Sequence, residues 1–222
     1  MAYTTITRRS VKICRVTWQY NGVIVDLYPM IHLGMKSFYE QVSNDMSNLD
    51  LILVEGTGWR TRSKSRYDLF AHRIGLVTQR EQLKYPASAE IENIDMSVKD
   101  FRRRFFRLPI GNVFSLLFAR FTLWFATIKY DDVDFRELML SSLIERHKRG
   151  AQGDVHDLVV TKRDAVIVGK LIARLGPLAQ NTSEETRVGV VFGANHMNAI
   201  AKALRDNGFR RGSRKWYTAI AP

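Results

Sequence analysis

The chain has 222 residues, 45% of them apolar and 25% charged, the balance of an ordinary globular domain; wholesale disorder and fibrous repeats are excluded. Lys and Arg outnumber Asp and Glu to give a formal charge of +12, which points to an anionic partner or surface and says nothing about fold. Cys14 is the single cysteine, which excludes an internal disulfide and a Cys-based zinc site.

MAYTTITRRSVKICRV at the start has no apolar core behind its charges, so no signal peptide is expected and the setting reads as reducing and cytoplasmic. No repeat or linker divides the chain, and one domain over 1–222 is expected. Val16, Trp18 and Tyr20 alternate with polar neighbours, Asn21-Gly22 follows, and Val23, Val25 and Leu27 resume the alternation. Asn-Gly supplies the positive-φ pair of a type I′ turn, so a hairpin is predicted.

Met35, Phe38, Tyr39, Val42 and Met46 share one helical face, and Leu51 to Val54 reads as a strand buried on both sides, ending in Glu55-Gly56. Strand, helix, strand with short joints predicts a crossover and a parallel pair. Tyr67, Phe70, Ala71 and Ile74 mark a second helix with Gly75 as its C-cap. Ile91 to Asp95 is a further short strand, and Ser97 with Asp100 opens a helix that Pro109 ends.

The run Leu108 to Ile128 is almost wholly apolar, Phe135 to Leu143 has helical spacing, and Arg149 to Gly153 reads as a loop. Thr161 and Asp164 form another capping-box-like pair, opening a helix with Val168, Leu171, Ile172 and Leu175 inward, which Gly176-Pro177 stops. Val188 to Phe192 is a buried strand and Gly193 to His196 a tight turn. Met197 to Leu204 is a helix closed by Asn207-Gly208, and Trp216 to Ile220 is a last strand. The pattern predicts an α/β (α+β) domain: a mixed sheet with an N-terminal hairpin and parallel crossovers, covered by helices, with a helical insertion or lid over about 97–148.

His32 follows a strand, Glu55 ends one, and His196 lies just past a third. Carboxyl ends of strands in an open α/β sheet line the crevice where ligands bind, and two imidazoles with a carboxylate would suit a divalent metal. A histidine at such a place is otherwise a cap or a satisfied core residue. Glu55 after four apolar residues needs a partner, such as a structural arginine. Arg163 lies in the first turn of its helix, where the macrodipole disfavours a cation, so an anion facing it is expected: a substrate carboxylate, a developing oxyanion or Glu55. Simple solvation is the alternative. Asp95, at the end of its strand, is a lesser candidate, while His72, His147 and His156 read as structural.

Ile31-His32-Leu33-Gly34, Leu51 to Gly56, Lys162-Arg163-Asp164 and Gly193-Ala194-Asn195-His196 together resemble the TraB/PrgY/GumN family, which includes the TIKI proteases and is distantly similar to erythromycin esterases and haem-binding ChaN proteins. The resemblance runs from His32 to Leu204. Family members carry two Gly-x-x-His motifs, a glutamate after the first and an arginine ahead of the second. Gly193 to His196 is a complete match, Glu55 and Arg163 match, and Pro29 stands where the first glycine would be. The resemblance implies a metal-dependent hydrolase, peptidase- or esterase-like, acting on a small-molecule or peptide substrate. His32, Glu55 and His196 would hold a manganese, zinc or cobalt ion, with Glu55 alternatively the general base. Arg163 would stabilise an oxyanion or anchor a substrate carboxylate.

Two features favour other readings. The stretch 108–128 is long enough to cross a bilayer, but Arg120 would sit near its centre and the candidate residues would be split across the membrane, so a buried helix, an apolar lid or weak reversible membrane contact is expected instead. Arg102 to Arg107, interleaved with phenylalanines, and Arg210, Arg211, Arg214 and Lys215 beside Trp216 and Tyr217 would serve a non-catalytic binding protein that engages nucleic acid or a membrane surface.

Overall fold

The computed structural model describes residues 3–7, 10–56, 66–107, 160–181 and 185–221. The apolar stretch 108–128, Pro109, the helix predicted over Phe135 to Leu143, the loop at Arg149 to Gly153, His147 and His156 lie outside them. So does all of the predicted insertion beyond its first helix. Among the described residues no helix is long and apolar enough to cross a membrane.

The fold is α/β, built on a seven-stranded mixed sheet. Strands β1 (Thr4–Ile6), β2 (Val11–Tyr20) and β3 (Val23–Met30) come first. Asn21 and Gly22 both adopt positive φ, as a type I′ turn requires, and the predicted hairpin forms between β2 and β3. Next come β4 (Leu33–Gly34), α1 (Lys36–Asp45), β5 (Leu51–Val54), α2 (Arg66–Arg73), β6 (Val77–Thr78) and the short α3 (Gln79–Gln82). Then β7 (Glu90–Asn93) and α4 (Val98–Phe105) follow. The last third holds α5 (Lys162–Gln180), β8 (Thr186–Gly193), a 3-10 turn (Ala194–His196), α6 (Met197–Asp206) and β9 (Arg210–Ile220).

Strand order is β1-β2-β3-β8-β5-β7, with β9 also paired to β2. The run β3-β8-β5-β7 is parallel throughout. The crossover through α1 joins parallel strands, as expected, but β3 and β5 are not neighbours: β8, from the far end of the chain, lies between them and pairs with both. Val188, Val190 and Phe192 of β8 face one side with Leu51 and Leu53, against Ile167, Leu171 and Leu175 of α5 and Met197, Ile200 and Leu204 of α6. Ile52 and Val191 face the other side, against Phe38, Tyr39, Val42 and Met46 of α1. Alternation along each strand therefore feeds two cores, one per face, which is the layering of an α/β domain.

Four local expectations fail. Helix α5 runs through Pro177 to Gln180: Pro177 and Ala173 lie on the exposed side, where water can meet the carbonyl that loses its donor, while Leu175 and Ala179 continue the buried face. Thr161 makes no capping bond, because it is itself helical. The inward face of α5 is Arg163, Ile167, Leu171, Leu175 and Ala179, a straight four-residue series, with Val168 and Ile172 at its margin. The final strand begins at Arg210, not Trp216, because pairing with β2 extends it through an exposed, charged stretch that carries no apolar alternation.

Candidate functional site

The four parallel strands end at one rim, with Met30 and Gly193 in register, Val54 beside Val191, and Asn93 beside Val54. His32, His196, Glu55 and Asp95 follow these strand ends, at the edge where α/β sheets bind ligands.

Arg163 is the hub. As the first residue of the buried series on α5, it points toward the sheet, and its side chain is 9% exposed. Nε donates to Asp95 Oδ1 at 3.0 Å and Nη2 to Asp95 Oδ2 at 2.5 Å, a two-point pairing that suits the planar guanidinium. Nη2 also donates to Glu55 Oε1 at 2.9 Å. The fully buried Asp95 carboxylate accepts two further backbone bonds, from Met96 N–H at 2.6 Å and Gly56 N–H at 3.1 Å. Burial alone would lower the Arg163 pKa; the hydrogen bonds and charges of Asp95 and Glu55 outweigh it and raise it. The anion expected to face Arg163 is therefore present in the protein itself, and it is double.

Glu55 is half-buried and doubly held. Its amide N–H continues the ladder by donating to Val191 O at 3.1 Å, and its Oε2 accepts from Gly193 N–H at 2.5 Å. A Cβ on residue 193 would stand 3.1 Å from that same oxygen, so the glycine of the Gly-x-x-His motif is what lets backbone and carboxylate meet. Tyr85 lies close enough to feel Glu55: burial, with that negative charge added, pushes its phenol up to about 12.

His196 occupies the 3-10 turn after β8, buried, with its ring edge-on to Phe192 at 6.2 Å between centroids. Its Nδ1 lies 2.6 Å from Asp164 Oδ1, and a carboxylate at that distance makes Nδ1 the donor. Nε2 then faces Glu55 Oε1 at 3.8 Å. Asp164, Arg163's neighbour in the first turn of α5, thus orients the imidazole rather than capping its helix.

His32 does not join this cluster. Its side chain is exposed, and its backbone carbonyl accepts from Gln79 N–H at 3.0 Å as the chain turns into β4, which pairs with β6. No hydrogen bond or ion pair links its imidazole to Glu55 or His196 among the described residues. Nor do those residues contain any group of three or more His, Cys, Asp or Glu placed to hold a metal ion. Pro29, in the place of the missing glycine, falls after the last β2–β3 pair, where a strand tolerates a residue with no N–H.

Of the residues singled out from the sequence, Glu55, Arg163 and His196 meet; Asp95 joins them at full strength, and His72 pairs instead with Glu81 at 2.9 Å on the surface. Asp164 is the participant that sequence reasoning missed, since its spacing from Thr161 imitates a capping box. Comparison with protein-family models, curated proteins and solved structures returns no match.

Proposed function

We propose that this rim is a hydrolytic site for a peptide or ester bond, of the kind the TraB/GumN resemblance implies, with His196 and Glu55 handling the attacking water and its proton. One observation carries the reading: Asp164, His196 and Glu55 stand in line, with Nδ1 anchored at 2.6 Å and Nε2 facing Oε1 at 3.8 Å. That second gap is longer than a hydrogen bond and is the kind a water or a substrate atom bridges.

In this mechanism Nε2 of His196 takes the proton from water, and Asp164 holds the ring in the required tautomer and stabilises the imidazolium that forms. Glu55 orients the water from the opposite side. Arg163 acts through Glu55, because its Nε and Nη2 already serve Asp95 and Glu55; the oxyanion role that the resemblance would give it is not part of this reading. A divalent ion such as manganese, zinc or cobalt would supply Lewis acidity if held by His196, Glu55 and His32. The exposed His32 and the two engaged oxygens of Glu55 do not suit that set, and no step is assigned to a metal.

The test is turnover of the purified protein on a panel of peptides and simple esters. Glu55→Gln and His196→Gln are each expected to lower it at least about a hundredfold, with the melting transition preserved. Equal turnover in wild type and both variants, or no cleavage by the wild type across the panel, overturns the proposal. A chelator should leave activity intact. Activity lost to chelation and restored by one of the three ions would return the metal and His32 to the mechanism.

A further inference from the structure

Strand β9 offers a second surface, away from the rim. Its basic residues read as one cluster in the sequence, but pairing with β2 divides them. Arg15 is opposite Lys215 and Gln19 opposite Arg210, whereas Cys14, Val16 and Trp18 are opposite Trp216, Arg214 and Arg211. Arg211 and Arg214 are three apart and would face opposite sides of a regular strand. The irregularity between Val16 and Trp18 puts an extra residue into β9 and turns both to the face that carries Trp18.

The two faces differ in charge balance. Lys215 is neutralised by Asp45 at 2.5 Å and Arg15 by the same carboxylate at 2.6 Å. On the other face Arg214 has no carboxylate partner among the described residues, and Trp216, its neighbour there, is 44% exposed. Beneath them are the buried Tyr3 hydroxyl and Trp18 indole N–H, which lie near each other. The charges of Arg211 and Arg214 reach both Tyr3 and Cys14. The result is a cationic strip with an exposed indole along β9, which is an edge strand among the described residues.

We propose that this face of β9 binds single-stranded nucleic acid, with Arg211 and Arg214 on successive phosphates and a base stacked on Trp216. A phosphodiester chain matches the strip in charge, and an exposed indole among cations is a platform on which a base can stack. An edge lined with arginine also disfavours a second copy of the same strand.

Fluorescence anisotropy of a labelled oligothymidylate tests this with the full chain. Binding should weaken steeply as salt rises. The double variant Arg211→Glu/Arg214→Glu should lose at least about tenfold in affinity, and Trp216→Ala about fivefold or more. Arg103→Glu/Arg104→Glu on α4 removes the same charge elsewhere and should change it less than about twofold. Arg211→Gln/Arg214→Gln, which is milder on folding, should lose an intermediate amount, with thermal melts confirming a folded chain. No binding by the wild type at low salt, equal losses from the α4 and β9 variants, or full competition by anionic phosphatidylserine vesicles overturns the assignment. Because no rim residue is altered, hydrolytic activity should be unchanged in every β9 variant, which keeps this proposal separable from the previous one.

Discussion

At the end of α1, Asp45 gathers donors from three strands: Arg15 Nη1 at 2.6 Å, Lys215 Nζ at 2.5 Å and the Tyr217 hydroxyl at 2.5 Å, with the Tyr28 hydroxyl within 3.4 Å. At the rim, Glu55 and Asp95 are also tied down by a cation, yet that network includes a histidine whose second nitrogen has no direct hydrogen bond among the described residues and a glutamate whose side chain is 22% exposed. In the first network the other groups converge on one carboxylate and lock α1 to β2 and β9. In the second, the polar groups form a line that ends at a gap. Donors that converge on one buried carboxylate make a fastener, even though Arg15 Nε stands 3.7 Å from Asp26 Oδ1 with no hydrogen bond of its own among the described residues. A line that ends at a gap beside a part-exposed glutamate is instead a place where a substrate can complete the circuit.

Mutation can break that contrast, beginning with the largest effect. Asp95→Ala removes the two-point partner of the buried Arg163 and should cost about 3 kcal/mol in a urea melt, along with the alignment of Glu55. A loss below about 1 kcal/mol would mean that the pair is solvated in solution. Asp45→Asn should cost about 2 kcal/mol, since hydrogen bonds to charged groups are lost, while turnover at the rim stays at the wild-type level.

The same variant should change the acid limb of stability. Burial raises the Asp45 pKa, but the bonds from Lys215 and Tyr217 and the charge of Arg15 outweigh it and hold the group below its ordinary value. Its contribution is therefore complete above about pH 4 and drains away as pH falls through the lowered value. The asparagine variant should lack that component when the urea midpoint is followed against pH. In alkali the reverse sign applies: Tyr85, raised to about 12 by burial and by Glu55, contributes fully below about pH 10 and loses its contribution as pH climbs to 12. Tyr85→Phe should flatten that limb.

Asp164→Asn sharpens the comparison from the other side. It should lower turnover by about ten- to a hundredfold through the orientation of His196, with less than about 1 kcal/mol lost in the melt. A variant that destabilised the fold and spared turnover would make Asp164 a fastener like Asp45. Gly193→Ala is the smallest change: its methyl would meet Glu55 Oε2 at 3.1 Å, so a stability cost of about 1 kcal/mol should accompany a larger proportional loss of activity.

Much of this was legible in the residues because local rules decided it. Asn21-Gly22 dictates its turn, Leu51 to Val54 its buried strand, and Met197 to Leu204 its helix. The strand-end positions of Glu55 and His196 also put them correctly at one rim. What was not legible depends on partners distant in sequence. Nothing in Val188 to Phe192 says that it will lie between β3 and β5, and nothing in Arg210 to Lys215 says that β2 will make it a strand. Asp164 was hidden for a related reason: a carboxylate three residues after a threonine satisfies a local motif, and only the arrival of His196 from β8 outbids it. His32 shows the converse, a strand-end histidine whose chain is drawn away by β4 and its partner β6.

The central position of β8 also bears on how the molecule is made. Residues 186–193 fill the slot between β3 and β5, so a ribosome must release the chain through Gly193 before the sheet can close. Until then the hairpin and the β5–β7 pair each present a raw hydrogen-bonding border, the state in which growing chains stick to one another. A product truncated before Thr186 should accordingly precipitate rather than persist as a folded fragment. The rim cluster would also assemble in one event, since the segment that closes the sheet carries Gly193 and leads directly into His196.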